Sequence, residues 1–169
     1  MIKATEDKFF FRRMNGADLD VVLTLEAKGH AVPWGLRIFQ DCLWAGYYCI
    51  LLEREKVGHK RVLLAYAIMS AAAGEAHILN VCVNKKYQRQ GFGQKIVTHL
   101  LGVAKNNKVK MVFLEVRLSN NIAINLYESL GFFEIGHRGS YYPTIEGCRE
   151  DALVMALELN SSFEVRSES

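Results

Sequence analysis

Val81-Cys82-Val83-Asn84-Lys85-Lys86-Tyr87-Gln88-Arg89-Gln90-Gly91-Phe92-Gly93-Gln94 carries the chain out of an apolar strand ending at Val83 and into a helix opening at Gly93. Inside it, Gln88-Arg89-Gln90-Gly91-Phe92-Gly93 has the make-up of an anion-binding loop. Glycine lets backbone approach a bulky anion, the N–H groups of a first helical turn donate to it, and the helix dipole favours its charge. A pyrophosphate suits such a loop. The segment lacks the Gly-Lys-Ser/Thr ending of a P-loop and the third spaced glycine of a dinucleotide fingerprint. Taken alone, Gly-x-Gly fits an ordinary tight βα turn equally well, so its surroundings have to decide.

Upstream, Lys8 to Arg13 reads as a strand and Gly16 to Lys28 as a helix with Leu19, Val22, Leu23 and Glu26 at helical spacing. Gly29 to Gly35, containing Pro33 and Trp34, breaks it, and Leu36, Phe39 and Leu43 form a second helical face. Tyr47 to Glu53, Val62 to Ser70 and His77 to Val83 are apolar β-type runs, the first pair joined by the charged segment Arg54 to Arg61. They predict an antiparallel meander. Downstream, Ile96, Val97, Leu100, Leu101 and Ala104 share one face of the helix Gly93 to Lys105. Met111 to Arg117 returns to strand character, and Asn120 caps a helix with Ile122, Ala123, Leu126, Tyr127 and Leu130 on its apolar face and Gly131 as its stop. Phe132 to His137 and Ala152 to Glu158 close the pattern as strands, bridged by a long loop from Arg138 to Asp151. A meander, then βα units, then a closing pair predict an α/β (α+β) fold with a mixed, mostly antiparallel central sheet flanked by about four helices.

A chain of 169 residues, half of them apolar, buries one sizeable core, so residues 1–159 are expected to form a single domain and the Ser- and Glu-rich residues 160–169 a frayed tail. Twenty-one basic against 18 acidic residues is too even a balance for an electrostatic nucleic-acid binder. Cys42, Cys49, Cys82 and Cys148 show no metal-type pairing, and His30, His59, His77, His99 and His137 share no short spacing, so no metal is expected. The first residues lack a signal-peptide core, and no apolar run approaches the roughly 18 residues of a membrane span. A cytoplasmic protein without membrane attachment, monomeric or weakly dimeric, is the expectation.

Gln-x-x-Gly-x-Gly after an apolar strand resembles the coenzyme A pyrophosphate motif of the GNAT acetyltransferases. The resemblance widens through Asn80-Val81-Cys82-Val83, Leu114-Glu115-Val116-Arg117, Ser119-Asn120-Asn121, Leu126-Tyr127-Glu128-Ser129-Leu130-Gly131-Phe132, Tyr141-Tyr142-Pro143-Thr144 and Arg149-Glu150-Asp151-Ala152. These stretches, dense from about Leu79 to Leu157 with His30-Ala31-Val32-Pro33-Trp34 upstream, are similar to the RimI-type ribosomal-protein alanine N-acetyltransferases. The resemblance implies a sheet splayed between two strands, with acetyl-CoA in the V. Its pantetheine would bond the backbone of Val81, Cys82 and Val83 as an extra strand, its pyrophosphate would lie on Arg89, Gln90, Gly91, Phe92, Gly93 and Gln94, and Asn120 would reach the pantetheine arm. Backbone recognition asks nothing of the Cys82 thiol, which reads as a small buried hydrophobe.

Acetyl transfer to an amine needs a neutral nitrogen and a proton for the departing thiolate. Glu115 alternates onto the face of Met111 and Phe113, where a carboxylate is costly unless partnered or solvated through a cleft. From spacing alone it is as readily an edge charge paired with Arg117; the resemblance implies a general base. Tyr127 lies on an apolar helix face, where most tyrosines simply pack; the resemblance implies that it protonates the thiolate. No nucleophile–histidine grouping is legible, which favours direct attack by the amine.

An α-amine of pKa near 8 is neutral at pH 7 in roughly one molecule in ten, a lysine in roughly one in 2,500, a gap of about 3.3 kcal/mol. One modest base suffices for the former, without excluding the latter. The resemblance implies a protein N-terminus, the alanine of a small-subunit ribosomal protein, held between Pro33, Trp34, Tyr141 and Tyr142. Val32, where the family pattern has an aromatic, and Lys85-Lys86, in place of a more acidic or proline-containing turn, depart from that pattern and bear on substrate preference. A lysine or small-amine acetyltransferase is the alternative enzyme, and a non-catalytic acyl-CoA-binding module the alternative of another class.

Overall fold

The structure is a computed structural model that describes residues 8–55 and 60–159. Its strands are β1 (Lys8–Arg13), β2 (Tyr48–Glu55), β3 (Arg61–Ala72), β4 (Glu75–Val83), β5 (Met111–Arg117), β6 (Phe133–Pro143) and β7 (Arg149–Glu158). Its α-helices are α1 (Leu19–Gly29), α2 (Leu36–Trp44), α3 (Phe92–Asn106) and α4 (Asn121–Ser129). One seven-stranded sheet has the order β1-β2-β3-β4-β5-β7-β6, antiparallel except where β4 meets β5.

Side-chain alternation along the strands feeds two cores, one on each face. Ile50, Leu52, Ala65, Ala67 and Met69 point to the side of Ile96, Val97, Leu100 and Leu101 of α3 and Tyr127 of α4. Cys49, Leu51, Tyr66 and Ile68 point the opposite way, to Val22 and Leu25 of α1 and Phe39 of α2. The result is a helix–sheet–helix sandwich of the mixed type that the pattern predicted.

Local signals explain the boundaries. Asn15 caps a short 3₁₀ turn at Gly16–Asp18, so α1 starts at Leu19, later than the spacing suggested. Asn120 accepts from the Ala123 N–H at 3.1 Å and starts α4. Gly131, at φ +94°, ends it: the Gly131 N–H reaches Glu128 O and the Phe132 N–H reaches Tyr127 O, a Schellman closure that ties down the last turn beneath Tyr127.

The long loop expected from Arg138 to Asp151 is a correction. β6 runs on to Pro143 and β7 begins at Arg149, leaving only residues 144–148 as connection. β6 is an edge strand exposed along most of its length, so it carries the polar composition of a loop. A register shift between Arg138 and Tyr142, with Ser140 at φ +50° donating its N–H to Asp151 Oδ1 at 2.7 Å, breaks the alternation by which a strand is recognised. Residues 56–59 of the Arg54–Arg61 connection and the tail from Asn160 lie outside the described residues.

Candidate active site

The parallel ladder between β4 and β5 is short. Glu75 to Ile78 pair with Met111 to Leu114, and beyond that point β4 stays with β3 while β5 stays with β7. The parting has a local cause: the β3–β4 register shifts between Ile68/Asn80 and Met69/Ile78, which leaves Leu79 as an extra residue in β4. A bulge bends and twists its strand, and here it does so one residue past the last β4–β5 pair. Val81 to Val83 therefore have β3 on one side and, among the described residues, no ladder partner on the other.

A cleft of about 350 Å³ occupies this V. It gathers Val81, Glu115, Asn120, Tyr127, Tyr142 and the Pro33–Trp34 pair, residues singled out in the sequence from five separate segments. Tyr141 is exposed beside it, its ring edge-on to that of Tyr142 at 4.9 Å.

Glu115 is 16% exposed and pairs with Arg138 Nε at 3.3 Å, across from β6. The pairing with Arg117 considered from spacing is not found: Arg117 lies 3.4 Å from Glu150, which also accepts the Ser119 N–H at 2.7 Å. The Tyr142 hydroxyl donates to the Glu115 carbonyl at 3.0 Å under the Arg117 guanidinium, 4.6 Å from the ring centre. Burial first, then Tyr141 and the Glu115 carboxylate, push the Tyr142 phenol up to about 12. Tyr127 is buried with its ring edge-on to Phe132 at 5.7 Å. Burial, reinforced by Tyr142, raises its pKa well above the ordinary phenol, so it stays protonated at neutral pH.

The loop before α3 turns through two left-handed residues. Arg89 (φ +64°) and Gly91 (φ +81°) are left-handed, and the first turn of α3 carries no acidic residue and no side-chain cap, so its N–H groups remain available to an anion. Gly93 has no room for a larger residue without adjustment: a Cβ there would sit 3.2 Å from Leu126 Cδ2. Phe92 is buried in the core, and Gln88 anchors the loop by donating to Val83 O at 3.3 Å. Arg89 to Gln94 are not among the residues that line the cleft, nor are Cys82 and Val83. Cys82 turns into the α1-side core, its thiol 3.7 Å from Leu25 O and pushed up to about 12 by burial and by Glu26.

Sequence reasoning missed the opposite wall, formed by Glu26, His30 and Asn80. Glu26 is 1% exposed. It accepts from the Tyr66 hydroxyl, from Asn80 Nδ2 at 3.3 Å and from the Trp34 N–H at 2.8 Å, with His30 Nε2 3.3 Å away. The signal was present: a carboxylate on the apolar stripe of α1 with a histidine four residues later. Glu26, His30 and Cys82 each place one polar atom within 4.8 Å of the others; the Cys82 thiol faces Leu25 O, and the Glu26 carboxylate is taken up by the Tyr66, Asn80 and Trp34 donors. No helix among the described residues is long and apolar enough to cross a membrane.

Comparison with known proteins gives the family. The profile of the acetyltransferase (GNAT) family matches residues 20–132. The [ribosomal protein bS18]-alanine N-acetyltransferase of Escherichia coli K12 is 38% identical over 143 residues, 85% of this chain and 93% of that one. A protein of Bacillus subtilis described as a putative enzyme of the same name is 32% identical over 149 residues, 88% of this chain and 95% of that one. The crystal structure of the Escherichia coli ribosomal-protein-S18-alanine N-acetyltransferase superposes with a TM-score of 0.79 at 35% identity, covering 93% of this chain and 99% of that one. Splayed sheet, glycine loop and matched length lead to one conclusion: the chain belongs to the GNAT family of acetyltransferases.

Proposed function

We propose that the protein transfers the acetyl group of acetyl-CoA to the N-terminal α-amine of a protein, with alanine in first place and a ribosomal protein as the natural substrate. The observation that carries this reading is the meeting of Glu115 from β5 and Tyr127 from α4 in the V between β4 and β5. The names of the relatives support the choice of amine.

The residues present fit coenzyme A. An uncapped α3 terminus behind a left-handed glycine suits the pyrophosphate, and the β4 edge from Val81 to Val83 offers peptide groups to the pantetheine amides. Acetyl-CoA supplies the activated acyl group. Glu115 takes a proton from the attacking amine, directly or through a water, and Tyr127 gives its proton to the sulfur as the C–S bond breaks. One proton enters the carboxylate and one leaves the phenol, so return to the resting state needs only proton exchange with solvent. The phenol's raised pKa keeps the acid form populated, and a proton bound for a thiolate meets an acceptor of high affinity. Pro33 and Trp34 on one side and Tyr141 and Tyr142 on the other form the peptide walls.

The test is free-thiol release from acetyl-CoA with an alanine-starting peptide, against the same peptide blocked at its N-terminus and containing lysine. Turnover on the free α-amine alone is expected. Turnover on the blocked peptide transfers the activity to lysine side chains, and silence on both overturns the proposal.

A further inference from the structure

Glu26 is a buried carboxylate with no part in the chemistry above. A carboxylate in the core is expensive, and a hydrophobic residue of similar size would hold α1 to the sheet at least as well. What an apolar side chain could not do is accept hydrogen bonds. Glu26 accepts three, each from a different element: the Tyr66 hydroxyl on β3, Asn80 Nδ2 on β4, and the Trp34 N–H in the turn between α1 and α2. Two of these fasten the carboxylate to the sheet. The third fastens the turn to the carboxylate. A second path closes the same ring through side chains, with Trp34 edge-on to Phe39 at 5.6 Å and Phe39 edge-on to Tyr66 at 5.7 Å. Trp34 thus has its backbone and its ring referred to the same point on the sheet, next to the splayed half of β4.

We propose that Glu26 is a positioning residue that sets the peptide-side wall of the cleft against β4, fixing the distance between the amine's approach and the strand that holds the acyl donor. The proposal rests on the functional reading above and adds a residue to it. Its chemistry predicts a particular pattern of sensitivity. Three donors converge on the Glu26 carboxylate, and His30 Nε2 stands 3.3 Å from it. Glutamine presents one acceptor and an N–H₂ group, so at least one donor is left facing a donor. Aspartate keeps the charge and withdraws it by one methylene, loosening its reach to Trp34.

The experiment uses the full chain, with peptide kinetics, coenzyme A calorimetry and tryptophan emission in a Trp44→Phe background. Trp44 is 93% exposed, so this change leaves Trp34 as the reporter of the wall. Glu26→Gln is expected to raise the peptide KM about tenfold, to leave kcat within about threefold and coenzyme A affinity within about twofold, and to red-shift Trp34 emission. Glu26→Asp is expected to act in the same direction, more weakly. Tyr66→Phe removes one of the two donors that fasten the carboxylate to the sheet and, with Asn80 Nδ2 still in place, is expected to move the peptide KM and Trp34 emission in the same direction as Glu26→Gln, more weakly. A lower melting temperature with unaltered KM and emission in Glu26→Gln overturns the proposal, as does a loss confined to kcat, or failure of both Glu26 variants to fold. A wild-type protein silent on the peptide would refute the functional reading, while the emission shift would still decide the position of the wall.

Discussion

Tyr127→Phe separates a packing tyrosine from a proton donor. The ring is edge-on to Phe132 and buried in the α3–α4 core, and phenylalanine keeps that contact. No hydrogen bond from the Tyr127 hydroxyl is found among the described residues, so the substitution strands no protein partner. Its expected cost in stability is therefore small, within about 1 kcal/mol, whereas removing a hydroxyl from a satisfied buried pair costs about 1–3 kcal/mol. Loss of a general acid typically slows reaction by about 10²- to 10⁴-fold, or about 3–5 kcal/mol of barrier. The two magnitudes are far enough apart to be read independently. Thiol release at saturating acetyl-CoA gives the rate, calorimetry gives coenzyme A affinity, and denaturant unfolding gives stability. A rate drop of about a hundredfold or more, with binding and unfolding midpoint nearly unchanged, is expected. Wild-type turnover in the variant would return Tyr127 to the core and refute the assignment of the acid.

Glu115→Gln keeps the shape of the strand face and is expected to slow transfer most near neutrality, recovering toward about pH 9 as the free α-amine deprotonates by itself; a pH–rate profile parallel to wild type would remove Glu115 as base. Gly91→Ala places a Cβ at φ +81°, costing roughly 1 kcal/mol, and should raise the acetyl-CoA KM with the peptide KM unaffected; an unaltered acetyl-CoA KM would detach the loop from the pyrophosphate. Burial pushes Cys49 up to about 11 and Cys82 up to about 12 from an ordinary 9.0. Because the folded state holds these protons after the unfolded state has lost them, the stabilisation is complete below pH 9.0 and fades as pH rises toward 11 and 12, by up to about 1.4 kcal/mol per unit and group. Reversible unfolding under reducing conditions should show this decline, and a midpoint flat from about pH 8 to pH 11 would contradict it.

Much of this was legible in the sequence because it was written in local periodicity. β1 and β5 begin and end where the apolar runs do, and Asn120 and Gly131 mark α4 by their own chemistry. β6 was hidden because an exposed edge strand with a kink at Ser140 obeys neither alternation nor burial. At the site, Glu115 and Tyr127 stood out as polar groups in apolar patterns. The partner of Glu115 did not, because Arg138 reaches it from a strand 23 positions later in the chain, and only the order β5-β7-β6 brings the two together. Glu26 was visible on its helical stripe, yet its meaning depends on Tyr66 and Asn80, 40 and 54 residues away.

The strand order also bears on how the enzyme comes into being. β5 has β4 as its neighbour on one side only from Met111 to Leu114; on the other it is held from Met111 to Arg117 by residues Ala152 to Glu158. During synthesis, the strands of the meander and α3 emerge well before that segment, and until it arrives β5 has an open edge along all of its seven residues and the α3-side core lacks Leu153, Met155 and Leu157. A nascent chain can thus present the glycine loop while the strand bearing Glu115 is still half-supported, and the candidate site is whole only once β7 has paired with β5.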